Sequence, residues 1–381
     1  VLLALSWRVG FFITDTYPIA NAVANLGDGR LAMTPPDFQY SLTLGTQPGL
    51  HEYGGRFYAR NYGQVVAALP FLWLLEGASA VAPPRLVLAG GWALGVVGLG
   101  RRLAARFDRR WLRLVAVVVA SAWFAAAVVF ATALDRSQLP LVALQLSTLA
   151  AAGLVAVSCY RLVGAFHDRR VAVAAGVALA LATPVGFWAT IPKRHVLVTA
   201  LVFGSVFAFA RSRQLGGRAS HVAHGLAYGA LGLVAWVHAF EGVVILGTFA
   251  VADLATASTT SRRALVAVVV GVSVGLAPYV ATNLLVSGSP VEPPRLTDSY
   301  YRTDDVDIGP GGAVQHDPTE DAAGQSGGPE GGGNSSETAG SEGGQAGDPA
   351  GDGTDSSGDG RSAVGALTER VRSSSAFGYV T

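Results

Sequence analysis

The sequence predicts an all-α, polytopic transmembrane helix bundle of about nine spans, with a long first external loop and a disordered external tail. Three observations predict it. Apolar runs of about twenty residues recur over the first 290 positions, the length that carries a helix across a bilayer. Arginines gather in the short connections between alternate runs, at 101–110, 161–170, 211–218 and 262–263, as cytoplasmic loops require. Charged residues make up only 14% of the 381-residue chain, and many of the acids fall after position 304, so the first 290 residues cannot be the surface of a soluble domain.

The elements follow in order. Residues 1–13 are an apolar run, short for a span, that leaves the membrane at Asp15. Residues 14–64 are polar and rich in Gly and aromatics, and form the external loop where chemistry would sit. The run 65–76 is too short to span and holds Pro70, which predicts a broken helix lying in the outer interface. Spans then follow at 86–100, 111–134, 139–160, 171–191, 196–210, 222–237, 242–255 and 264–285. With 65–76 kept out of the count, every arginine-rich loop falls inside, along with the N-terminus. The external turns are then 135–138, 192–195 and 238–241.

Residues 1–295 thus form one membrane domain. Residues 296–362 are acidic and rich in Gly and Ser, too poor in apolar side chains to build a core, and read as disordered and external. They contain the sequon Asn334-Ser335-Ser336. Residues 363–381 are a short C-terminal segment with an amphipathic stretch at 363–372, and the end at Thr381 reads as a truncation. The use of Arg over Lys and the Ala/Val/Gly content read as a GC-rich, halophilic composition. A single cysteine, Cys159, excludes an intramolecular disulfide and a thiolate metal site.

Ionisable residues at membrane depth or its outer edge are functional candidates by default. They are Arg8, Asp15, Arg60, Asp135, Lys193, Arg194, His195, His238 and Glu241. Asp15 follows Arg8 by two helical turns, about 10 Å along one face. It serves equally well as the N-cap of a segment starting at Tyr17. Arg60, in FYARNYGQ beside Tyr62, suits a phosphate through its planar fork, or snorkels to the interface. Lys193, Arg194 and His195 break the charge rule by sitting in an external turn, which suits a bound anion or a plain helix-end cluster. His238 and Glu241 pair by spacing but are too few for a metal. No nucleotide loop and no Ser-His-Asp arrangement is present.

Taken together, these motifs resemble membrane glycosyltransferases of the GT-C fold, among them the protein O-mannosyltransferases and lipid A aminoarabinose transferases, here of archaeal type. Asp15 before a long external loop carries the resemblance. So do GRFYARNYGQVVAALPFLWLLEGASAVAPPRLVLAGGWALGVVGLGRRL at 55–103, ALDRSQLPLVALQLSTLA at 133–150 and PYVATNLLVSGSPVEPP at 278–294. The chain has Asp15-Thr16 where the family often has Asp-Glu, and Asn61-Tyr62-Gly63 where it has Pro-Pro-Leu.

The resemblance implies an inverting glycosyltransferase of the cell membrane, working on its external face. Its donor would be a polyprenyl (dolichyl)-phosphate sugar, and its acceptor a glycan, protein or lipid hydroxyl. Asp15 matches the general base and Asp135 the second acidic position. Arg60 takes the donor phosphate, and Arg8, Tyr62, Lys193, Arg194, His195, His238 and Glu241 bind substrate. No cofactor and no nucleic-acid partner is implied, and a divalent metal stays open. A transporter or flippase is the alternative reading, but transporters carry their polar groups near midplane, whereas these crowd one face.

Overall fold

The computed structural model describes residues 9–11, 15–34, 40, 49–131, 133–181, 184–257, 261–299, 307–308 and 314–315. Arg8, most of the run 1–13, the sequon and the segment 363–381 lie outside these residues. The chain divides into a unit ending at Tyr301 and a second unit after it. In the second unit, β4 (Asp307–Ile308) and β5 (Val314–Gln315) pair antiparallel within the segment expected to be disordered. Residues 296–299 of that segment are also described and belong to the first unit, and its other residues lie outside the described ones.

The first unit is mostly helical. Six of its helical segments are long and apolar enough to cross a membrane: α3 (Pro84–Phe107), α4 (Trp111–Phe130), α5 with its leading turn (Arg136–Val163), α8 (Arg194–Gln214), α10 (Ala239–Thr256) and α11 (Arg262–Val286). Each begins or ends where the sequence reading placed a span, within a few residues. The expected span 171–191 is instead α6 (Arg169–Leu181) and α7 (Pro184–Trp188). The expected span 222–237 lies within α9 (Gly217–Val237), a helix of 21 residues diluted by His221, His224 and four glycines.

Within the loop 14–64 the described residues form regular elements. It opens with α1 (Thr16–Gly27), whose buried face carries Ile19, Ala20, Val23 and Ala24. It closes with a hairpin of β1 (Leu50–Tyr53) and β2 (Arg56–Ala59). Gly54 and Gly55, at φ +59° and +72°, make the two-residue turn that only left-handed residues allow. β3 (Asp298–Ser299) pairs with the other side of β1, giving a three-stranded antiparallel sheet in the order β2-β1-β3. Among its described residues this unit is therefore mostly helical with one small sheet, where an all-α bundle was expected.

α2 (Tyr62–Ser79) corrects the reading of 65–76. It runs unbroken through Pro70, and Tyr62, Val65, Leu69, Leu72 and Leu75 are buried. The missing amide at Pro70 costs one bond, and packing on α1 and α5 outweighs it. The main core joins α1, the hairpin, α2, α5 and Val286. Truncating the buried Leu72 there would cost about 2–5 kcal/mol. Gly63, in the first turn of α2, allows the end of α9 to approach: a Cβ would lie 2.9 Å from the Val237 amide nitrogen. That approach brings the β2–α2 junction beside His238.

Candidate functional site

Five chain segments meet above this core. Asp15 precedes α1 in the N-cap position, yet its side chain makes no cap hydrogen bond. It forms an ion pair with the Lys193 ammonium instead. Of the two sequence readings of Asp15, the cap is therefore right for the backbone and wrong for the carboxylate. Lys193 is held in place by its own strand of loop. The buried Gln64 amide donates to the Pro192 carbonyl at 3.0 Å, and the buried Gln145 amide to Thr190 at 3.3 Å.

Asp15, Arg60, Asn61, Lys193 and Arg194 line one cleft. Arg60, Asn61, Tyr62, His238 and Arg295 line a second, so Arg60 and Asn61 form the wall between the two. Each holds about 20 Å³, room for a single water or one oxygen of a larger ligand. Arg194 reaches Glu241 at 3.8 Å. The Tyr62 hydroxyl is already committed, donating to Leu31 at 2.7 Å.

Arg295 escaped the sequence reading. It sits on a short turn, Pro294–Leu296, after the last span. Asn283 donates to the Pro290 carbonyl at 3.1 Å, and the Ser287 hydroxyl to Glu292 at 2.9 Å, folding this segment back over the end of α11. Arg295 Nη1 then lies 2.8 Å from His238 Nε2. A guanidinium can only donate, so Nε2 is the acceptor in that contact, while Nδ1 accepts from the Glu241 backbone amide at 3.3 Å and caps α10. The Glu241 carboxylate lies 3.5 Å from the same Nδ1. Burial, and then Arg194, hold the His238 imidazole below its ordinary pKa, against the pull of Glu241.

His51 on β1 was also missed. It is buried, and neither ring nitrogen reaches a hydrogen-bond partner among the described residues. Burial pushes it down to about 4; the Thr297 backbone pulls it upward, and the Arg60 and Arg295 charges push it further down. Its only signal in the sequence was the alternation LHEY before Gly-Gly.

Two features set this region apart. Among the described residues Arg60, Lys193, Arg194 and Arg295 face two carboxylates, Asp15 and Glu241. Buried polar atoms without partners also collect here: Thr16 Oγ1, both His51 nitrogens, Asn61 Oδ1 and Arg194 Nε. Such atoms are few in folded proteins, and five of the nine found among the described residues belong to this group.

Asp135 and His195 stand apart. Asp135 is exposed before the turn Arg136–Gln138, with no cap bond, and lines neither cleft. His195 is exposed and meets Trp188 edge-on at 6.0 Å.

At the other end of the bundle lies a second polar cluster that the sequence reading missed. Asp253, buried near the end of α10, accepts from Arg213 at 2.6 Å and Tyr228 at 2.9 Å, and lies 2.7 Å from His224. Among the described residues no group of three or more His, Cys, Asp and Glu is placed to hold a metal. No family model, curated protein or solved structure matches the chain.

Proposed function

We propose that the chain is a GT-C-like membrane glycosyltransferase that takes a sugar from a polyprenyl-phosphate donor. The single observation behind this reading is the cleft at Asp15. One carboxylate stands beside an excess of cations, among polar atoms without partners. In the reaction, Asp15 takes the proton of the acceptor hydroxyl as its oxygen attacks the anomeric carbon. The bond from that carbon to the donor phosphate breaks, with inversion, and the lipid phosphate leaves carrying the electron pair. Charge grows on that phosphate in the transition state, and Arg60, Arg194 and Arg295 are the groups that would meet it. Lys193 orients the Asp15 carboxylate. The clefts admit a phosphate oxygen and not a sugar ring, so this reading requires the segment at 292–297 to move when the donor enters.

The same reading puts the site outside the cell membrane, in a bundle of nine spans whose N-terminus is inside. The support is the arginine asymmetry. The helix ends at Phe107, Val163, Gln214 and Thr256, and the starts that follow them, carry the basic loops. Asp15, Lys193 and His238 lie at the opposite ends. A glycan, protein or lipid hydroxyl is the acceptor.

The test is turnover of a lipid-linked sugar donor by the purified full chain. Asp15→Asn keeps the size and removes the base, and should cut turnover roughly a hundredfold while donor binding survives. Normal turnover in Asp15→Asn would move the base elsewhere. No turnover by wild type with any lipid-linked sugar would put a transporter of lipid or solute ahead.

A further inference from the structure

α9 and α11 lie side by side and parallel. Gly225 meets Ala267, Gly229 meets Gly271, and Gly232 meets Gly275; a Cβ on Gly225 or on Gly232 would come within 2.8 Å of the facing backbone. This small-residue seam explains why the two backbones touch. It does not explain the groove beside them, an open cavity of about 790 Å³. Its walls are apolar, with Leu226, Leu233, Val266 and Val270 among them. It runs from Arg218 to Leu233 along α9, about 22 Å at 1.5 Å per residue. One leaflet is about 15 Å of hydrocarbon plus its headgroup layer.

The groove is charged at one end only. Arg218, His221, Arg262 and Arg263 form its mouth. Among the described residues none of these three arginines has an ion pair, and all three are exposed. Because the helices are parallel, both begin here, α9 at Gly217 and α11 at Arg262. Two helix N-termini add their positive ends to the three guanidiniums. His238, at the other end of α9, is 20 residues from Arg218, about 30 Å away, so this mouth is separate from the Asp15 cleft.

We propose that this groove binds an anionic phospholipid, with its phosphate on Arg218, Arg262 and Arg263 and one acyl chain along the α9–α11 groove. The charge at the mouth selects an anionic headgroup, and the groove's length matches one leaflet. A second copy packed here about a two-fold axis would set the same arginines against each other, which like charges oppose.

Native mass spectrometry of the full chain in mild detergent tests it, using phosphatidylglycerol and phosphatidylcholine with identical acyl chains. Phosphatidylglycerol should remain bound at about tenfold higher occupancy. Arg218→Ala/Arg262→Ala/Arg263→Ala should abolish that preference. Ala230→Trp fills the groove without touching the charge and should lower phosphatidylglycerol occupancy as well. Gel filtration shows that the variants remain folded; should the triple variant fail, Arg262→Gln alone should still weaken the preference. Equal retention of the two lipids would overturn the proposal, and so would an unchanged preference in the arginine variants. Displacement of the lipid by millimolar inorganic phosphate, or full binding by Ala230→Trp, would leave only a surface anion site and overturn it too.

Discussion

Asp15 and Asp253 are both carboxylates paired with a cation in a membrane bundle, at opposite ends of it, and their surroundings differ in kind. Asp253 is buried and spends its oxygens on Arg213, His224 and Tyr228, three partners from α8 and α9. The cluster lines an open cavity of about 480 Å³, but both carboxylate oxygens are already engaged. Among the described residues Asp15 pairs with Lys193 alone, opens on a cleft, and lies beside polar atoms with no partner. A saturated buried carboxylate holds helices in register, while an unsaturated one beside surplus cations is equipped to bind and react.

The comparison breaks most readily through stability. Asp253→Ala leaves the Arg213 charge and the His224 ring without their acceptor, and removing one partner of a buried pair costs about 3 kcal/mol. Thermal unfolding in detergent should show a large drop for Asp253→Ala and almost none for Asp15→Asn. If Asp253→Ala unfolds like wild type yet loses turnover, the two clusters are not divided into lock and site.

Acid should act on the Asp15 end. The His51 imidazole titrates near 4 in the folded chain and near 6.5 when unfolded. Between those values the unfolded chain binds a proton that the folded chain refuses, so stability falls as pH drops from about 6.5 to 4 and levels off below. The loss is on the order of 3 kcal/mol from His51, and His238, also shifted down, adds in the same direction. His51→Gln should flatten the slope of melting temperature against pH over that window. An unchanged slope would mean that the ring is solvated and is no part of the site.

Much of this was legible in the sequence, for identifiable reasons. Spans of apolar residues announce helices because lipid leaves the backbone no other way to pair, and the arginine-rich loops were placed by charge alone. Asp15, Arg60, Lys193 and Arg194 stood out because ionisable residues are scarce near the bilayer, and the structure brings those four to one cleft. What failed depended on tertiary packing. Pro70 looked like a break because the chain alone cannot show the packing that carries α2 past it. The hairpin strands are four residues each, too short for alternation to stand out. Arg295 lies in a Pro-rich segment whose fold-back depends on Asn283 and Ser287. Asp253, inside GTFAVADLAT, broke the rule that acids avoid apolar helices, and that exception was the available signal.

The smallest expected effect concerns Asp135, the second acidic position implied by the GT-C resemblance. It is exposed, makes no cap bond, and lines neither cleft. The turn that carries it is held by its neighbours: Arg136 donates to the Ser79 carbonyl at 2.6 Å, and the Tyr40 hydroxyl reaches the Ser137 carbonyl. Asp135→Asn therefore removes a solvated charge and no contact. Exposed substitutions of that kind change stability by about 0.5 kcal/mol or less, and turnover should stay within about twofold of wild type. The measurement is the same donor assay, run beside Asp15→Asn. A loss in Asp135→Asn as deep as that in Asp15→Asn would mean that the turn at 135–138 closes over the donor during the reaction. The chemistry would then need two carboxylates, one on each side of the cleft, and the single-base reading of Asp15 would fall.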